Sequence, residues 1–250
     1  MKREFFEIFV TNLTPKGICM DYDAIARDYD RFNGGFDYAD YLDHILPHLS
    51  LPDNPLALDC GCGTGSLILE LTRRGFDCSG VDASPEMLDV AHEKLSDAGL
   101  SPHLMCQSLP EIDLYGAYHA VFSSMDTVNH LLDKRDVKRF FRRLYNFTEP
   151  GGYFIFDLKQ KSLFSDATQV AEDDGSCLIL RRAFDGTYAC QTLTVFRREG
   201  EEYTRTDEEI WERWYDPADL RREICAAGFR PCRTLSYHGR TIIIVRRTEA

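Results

Sequence analysis

Gly61, Gly63 and Gly65 occupy alternate positions in the run Leu58-Asp59-Cys60-Gly61-Cys62-Gly63-Thr64-Gly65, and two aspartates flank them. Glycines in a turn between a strand and a helix let backbone N–H groups approach a ligand closely. The spacing also satisfies G-x-G-x-x-G with Ser66 as the third small residue, so on spacing alone a dinucleotide stays open. The acids discriminate. Asp59, just before the first glycine, can reach a ligand ammonium directly or through water, and nicotinamide cofactors offer none. Asp82 lies 17 residues beyond Gly65, at the end of the next apolar run. There its two oxygens can accept bonds from both hydroxyls of a ribose.

The elements needed to position these groups are legible around them. Leu56–Cys60 is an apolar run entering the glycines, as a buried parallel strand does. Ser66–Arg74 reads as a helix stopped by Gly75, and Asp77–Val81 as the next strand. Pro85–Leu95 is a helix with Ser84 as N-cap and proline at its first position. Strands at His103–Gln107 and Ala117–Ser123, a helix at 133–146 and a strand at Tyr153–Asp157 follow. This alternation predicts a parallel sheet with helices on both faces. From about Cys177 to Arg213, β-rich runs broken at Asp185-Gly186 and Glu199-Gly200 predict an antiparallel meander. A helix capped by Asp216-Pro217 and ending at Gly228, then strands at Arg233–Tyr237 and Thr241–Arg246, close the chain. Upstream, the segment from Tyr22 to about His48 has a helical pattern.

Asp59-Cys-Gly-Cys-Gly-Thr-Gly65, followed by Gly80-Val-Asp82-Ala-Ser84-Pro-Glu-Met87-Leu88, resembles the class I S-adenosylmethionine-dependent methyltransferase family in its small-molecule branch. The segment Tyr22–Asp30 is similar to that branch's N-terminal cap. Asp126-Thr-Val-Asn129, Pro150–Asp157 and Trp214–Pro217 match its later regions. The resemblance implies a doubly wound, Rossmann-like α/β fold. It would comprise a seven-stranded sheet with a C-terminal antiparallel hairpin strand and a small inserted antiparallel β subdomain. The implied organisation is an N-terminal extension (1–20), a methyltransferase domain (21–160 and 214–250) and a lid or substrate subdomain (161–213).

The same resemblance implies S-adenosylmethionine as cofactor and S-adenosylhomocysteine as product. Gly61, Cys62, Gly63, Thr64 and Gly65 would hold the methionine part, with Asp59 at its amino group. Asp82 would hold the ribose, and Ala83 and Met87 would flank adenine. Tyr29, Arg27 and the backbone near Ser124 would close over the methionine end. Many relatives place an aspartate after the third strand to meet the adenine amine. Here the run is Cys106-Gln107-Ser108, so Gln107 or Ser108 would have to substitute.

Methyl transfer from an activated sulfonium needs mostly positioning and desolvation, and no acid–base dyad stands out. Asp126, Asn129, His130 and Tyr29 are the catalytic candidates, each also readable as a turn, loop or packing residue. Trp211, Trp214 and Tyr215 could line an acceptor pocket or simply pack. The run Ser123-Ser124-Met125-Asp126 lacks the Asn/Asp-Pro-Pro-Tyr motif of amino-directed DNA and glutamine methyltransferases. Together with the net charge of −12 and scattered Lys and Arg, this favours a small-molecule acceptor attacked through N or O over nucleic acid. A nicotinamide-dependent oxidoreductase and a non-catalytic S-adenosylmethionine-binding module are the alternatives.

Nine cysteines without a CxxC pair predict free thiols in a reducing cytoplasm. Cys60 and Cys62 lack the second ligand pair of a zinc site, so no metal is expected. No apolar run is long enough to span a membrane, and the start does not read as a signal peptide. A monomer or homodimer is expected. Residues 1–19 have no counterpart in the family pattern; an accessory helix and an upstream start codon both account for them.

Overall fold

The computed structural model describes residues 25–32, 36–173 and 175–248. The expectations for residues 1–20 lie outside these. Among the described residues, the segment read as one helical stretch contains the helices α1 (Ala26–Phe32) and α2 (Tyr38–Ile45). They are followed by β1 (Leu56–Cys60), α3 (Ser66–Arg73), β2 (Asp77–Asp82), α4 (Pro85–Asp97), β3 (His103–Cys106) and β4 (Tyr118–Ser123). Then come α5 (Lys134–Phe147) and β5 (Thr148–Lys159). An antiparallel block follows: β6 (Ala167–Asp173), β7 (Ser176–Phe184), β8 (Tyr188–Glu199) and β9 (Glu202–Arg213). The chain closes with α6 (Pro217–Ala226), β10 (Phe229–Tyr237) and β11 (Arg240–Arg247).

Two sheets result, a seven-stranded one in the order β10-β11-β5-β4-β1-β2-β3 and a four-stranded one in the order β6-β7-β8-β9. Strands β1 to β5 pair in parallel, and β11 inserts antiparallel between β5 and β10. This is the expected Rossmann-like α/β fold with an added antiparallel sheet. Helices cover both faces of the large sheet. One face packs Phe140, Phe141 and Leu144 of α5 and Leu220 of α6 onto Val121, Phe154 and Phe156. The other packs Tyr41 and Leu42 of α2 and Ile68 of α3 onto Ala57, Ala120 and Ile155. With both faces buried, the strands read as near-continuous apolar runs.

The chain leaves β1 in one direction towards β2 and returns on its other side as β4, so the carboxyl end of β1 is the switch point where such sheets open a crevice. Helix α1 wedges the second sheet against this end. Ile25 joins Leu178, Leu193, Val195 and Ile210 in one apolar cluster, and Arg197 Nε donates to Asp28 at 2.6 Å.

Two differences from the sequence reading have physical causes. Strand β6 was not expected, because an edge strand exposed on both faces (Thr168, Gln169 and Val170 are all exposed) carries no in–out alternation. The basic residues are also less scattered than the composition suggests. Arg135, Lys138, Arg139, Arg142 and Arg143 surround one shallow groove on α5. Asp133, Glu111 and Glu223 pair with four of them, which balances that face.

Candidate active site

The glycine turn is held from below. The N–H groups of Gly61 and Cys62 donate to the carbonyl of Val81, at 2.7 and 3.0 Å, so the turn rests on the end of β2. Gly61 has φ of 77°, and a Cβ there would sit 2.4 Å from Thr127 Cγ2. Gly65, also at φ 77°, caps α3 against Leu95, whose Cδ1 would lie 2.9 Å from an added Cβ. Glycine is required at both positions by backbone conformation and by a close neighbour.

Asp82 is pre-oriented. Its Oδ2 accepts the Gly63 N–H at 2.7 Å and its Oδ1 accepts the Ser84 N–H at 3.0 Å. Each oxygen keeps a further lone pair for a ligand. Asp59 is buried at 3% exposure, and burial together with the Asp82 charge pushes its pKa up to about 8. Both aspartates face a cavity of about 690 Å³ at the carboxyl end of β1. Gly61, Cys62, Gly63 and Thr64 form its floor; Ala83, Met87 and Ser108 line one end, and Tyr29, Ser124 and His130 another.

The remaining expected residues lie elsewhere. Gly65 sits behind the turn. Arg27 is exposed and pairs with Glu93 of α4 at 3.2 Å, on the outside of the helix that carries Tyr29. Gln107 is engaged in both directions with the backbone of Asp113, at 3.1 and 2.8 Å, so of the Gln107–Ser108 pair only Ser108 reaches the cavity. Asn129 is fully buried and links the two sheets. Its Nδ2 donates to the Arg213 carbonyl at 2.8 Å and its Oδ1 accepts the Lys159 N–H at 3.1 Å. Trp211 and Tyr215 are buried as packing residues, and Lys161 lies over Trp214. In their place Tyr188 and Arg213 of the second sheet line the cavity.

Beneath this cavity lies a buried charge cluster that sequence reasoning missed. Asp126, at φ 59° just after β4, pairs with Arg240 and Lys159. Lys159 also pairs with Glu212 of β9. Asp157 accepts the N–H groups of Met125 and Asp126 at 2.9 Å each, the Tyr41 hydroxyl at 3.0 Å and Arg240 at 3.1 Å. Burial opposes the Asp126 charge, but Arg240 and Lys159 hold its carboxyl well below the usual range. Asp126 therefore faces cations rather than the cavity. No local pattern announces Arg240, a strand-end arginine whose partners lie over 80 residues away.

His130 Nδ1 lies 3.1 Å from the Trp211 carbonyl and its Nε2 3.9 Å from Glu212. A carbonyl only accepts, so Nδ1 carries the proton in that contact. Asp126, His130 and Glu212 group their polar atoms within 4.8 Å, as metal ligands can. The Lys159 ammonium bridges the two carboxylates of that group.

Residues 57–152 match the family model described as a methyltransferase domain. YqeM of Bacillus subtilis, a methyltransferase by assignment, is 30% identical over 220 residues, covering 84% of this chain and 87% of its own. The chain belongs to the class I S-adenosylmethionine-dependent methyltransferases. A solved S-adenosylmethionine-dependent methyltransferase from Clostridium acetobutylicum superposes with TM-score 0.80 at 25% identity, covering 91% of this chain and 99% of that one. A ubiquinone biosynthesis O-methyltransferase of Azorhizobium caulinodans is 28% identical over 172 residues, covering 69% of this chain and 57% of its own. The matched family segment spans the methyltransferase's glycine turn, Asp82 and the Asp126 loop, and stops before the second sheet. Among the described residues, no helix is long and apolar enough to cross a membrane.

Proposed function

We propose that this methyltransferase transfers the methyl group of S-adenosylmethionine to N or O of a small-molecule acceptor, without a metal. The observation that carries this reading is Asp82, fixed by the Gly63 and Ser84 N–H groups beside a turn in which Gly61 and Gly65 leave no room for a Cβ. When bound, the cofactor supplies a methyl group on a positively charged sulfur, already activated for transfer.

The chain's own residues bind, orient and exclude water. Asp82 accepts the ribose hydroxyls, the side-chain-free backbone of the turn from Gly61 to Thr64 lets the methionine part approach closely, and Asp59 receives the cofactor's ammonium. Ala83, Met87 and Ser108 take the adenine, and Tyr29 covers the methionine end together with Ser124. Arg27, Gly65 and Gln107 act behind the surface that touches the ligand. The second sheet, residues 161–213 in the domain division, roofs the acceptor side through Tyr188 and Arg213. Lys159 supplies the cation between Asp126 and Glu212, where a divalent ion would otherwise be sought. His130 lines the cavity with its Nδ1–H donated to the Trp211 carbonyl, and it is the side chain assigned here to face the reacting atom of the acceptor. A cavity of this size on an acidic chain suits a small acceptor in a cytoplasmic setting better than a nucleic acid.

Titration calorimetry with S-adenosylhomocysteine and with reduced nicotinamide dinucleotide tests the cofactor. Binding of the first alone is expected, and Asp82→Ala should weaken it by about 1.5–3 kcal/mol, the scale of charged hydrogen bonds. Preference for the dinucleotide, or unchanged affinity in Asp82→Ala, overturns the assignment. Formation of S-adenosylhomocysteine against a panel of amines and phenols tests turnover, and its absence throughout would favour a binding module.

A further inference from the structure

Arg213 ends β9 opposite Tyr188 of β8 and lines the cavity. Its Nη1 donates to the Leu132 carbonyl at 2.8 Å and to the Tyr188 hydroxyl at 3.2 Å. Its guanidinium carbon lies 5.2 Å from the centre of the Tyr188 ring and 5.3 Å from that of Tyr215. Tyr215 is itself fixed by a hydrogen bond from its hydroxyl to the Leu131 carbonyl. Two rings and two acceptors thus set the plane of the guanidinium, while Nε is buried without a hydrogen-bond partner among the described residues.

Among the described residues Arg213 forms no ion pair. Asp133, whose carboxyl it helps to hold below the usual range, is committed to the Arg135 side chain and N–H. Asp136, the other carboxylate on that wall, sits in the first turn of α5, where the helix dipole already favours it. A cation partly withdrawn from water without a counter-charge is costly, and a ligand that supplies one relieves the cost. Leu132 and Tyr188 take both Nη1 hydrogens and Nε is enclosed, so Nη2 is the donor left to an oxyanion, with its orientation set in advance.

We propose that Arg213 anchors an oxyanion, a carboxylate or a phosphate, carried by the methyl acceptor. Leu131 and Leu132 flank the guanidinium and receive the carbon part between anchor and reacting atom. The assignment rests on the cavity being the methyl-transfer site, and it makes Arg213 a specificity residue contributed by the second sheet.

The probes are phenyl phosphate and benzoate, with benzyl alcohol as the neutral control, titrated by calorimetry into ligand-free and S-adenosylhomocysteine-saturated protein. Both anions should bind at least about tenfold more tightly than the alcohol, as a charged hydrogen bond provides. The tighter of the two identifies carboxylate or phosphate as the natural group. Arg213→Met should remove that margin and leave S-adenosylhomocysteine affinity within about twofold, while Arg213→Lys, keeping the charge but losing the fixed guanidinium plane, should retain part of it. Equal binding of anions and alcohol by the natural protein, or an undiminished margin in Arg213→Lys and Arg213→Met alike, overturns the proposal. Loss of S-adenosylhomocysteine binding by the natural protein would instead strike the cofactor reading, since the ligand-free titration still reads Arg213.

Discussion

Asp59 and Asp82 have the same side chain and different work, decided by their surroundings. Burial pushes both pKa values up; at Asp82 the Gly63 and Ser84 N–H groups oppose the rise, whereas Asp59, buried beside the Asp82 charge, is pushed up to about 8. At neutral pH the unliganded protein therefore holds a proton on Asp59, and a cationic ligand expels it. Binding of S-adenosylmethionine near pH 7 should release close to one proton, and affinity should rise with pH until about 8. Calorimetry in buffers of differing ionisation enthalpy measures this release directly; zero release would place the cofactor's ammonium elsewhere. Position and type of both aspartates were legible in the sequence, as were the glycines that admit no Cβ. Their protonation was not, because it depends on burial and on the distance between two residues on neighbouring strands.

The elements that matter most at the site meet through the cluster around Asp126. Strand β5 brings Asp157 and Lys159, β11 brings Arg240, and β9 of the second sheet brings Glu212. Lys159 is the joint, since from β5 it touches both Asp126 in the loop after β4 and Glu212 of the second sheet. Removing one partner of a buried pair leaves its counter-charges uncompensated. Lys159→Met should thus destabilise the fold by about 3–5 kcal/mol in urea unfolding. The double variant Lys159→Met with Glu212→Met should recover part of that loss. Equal stability of Lys159→Met and the natural protein would mean that the cluster does not hold the two sheets together. Sequence periodicity gave the strands β1, β2, β4 and β11 within a few residues, because buried strands show as apolar runs. It missed β6, whose exposed edge has no such mark.

Taken as a whole, the molecule has opposing titrations. Asp126, its carboxyl held below the usual range by Arg240 and Lys159, contributes stability above the ordinary carboxylate value of 3.8 that is lost as pH falls further. Asp59 acts in the other direction. Its folded pKa of about 8 exceeds the ordinary 3.8, so the folded state binds the extra proton and stability declines as pH rises through that window. The unliganded protein should therefore melt highest at mildly acidic pH, with melting temperature falling towards pH 8.5. Asp59→Asn should flatten that alkaline limb. A limb of the same slope in Asp59→Asn would assign it to general repulsion in a chain of net charge −12.

By itself the sequence determined the cofactor class and the sheet that presents it, because both rest on short-range signals. A glycine turn, a carboxylate at the end of the next strand and the period of apolar residues all lie within a few dozen positions of one another. Only the tertiary structure decided which side chains face the cavity. It turned Arg27 outwards, committed Gln107, Asn129 and Asp126 to protein partners, and brought Tyr188 and Arg213 to the wall. Those outcomes depend on contacts between residues far apart in the chain, where electrostatic and packing complementarity, rather than local pattern, selects the neighbour.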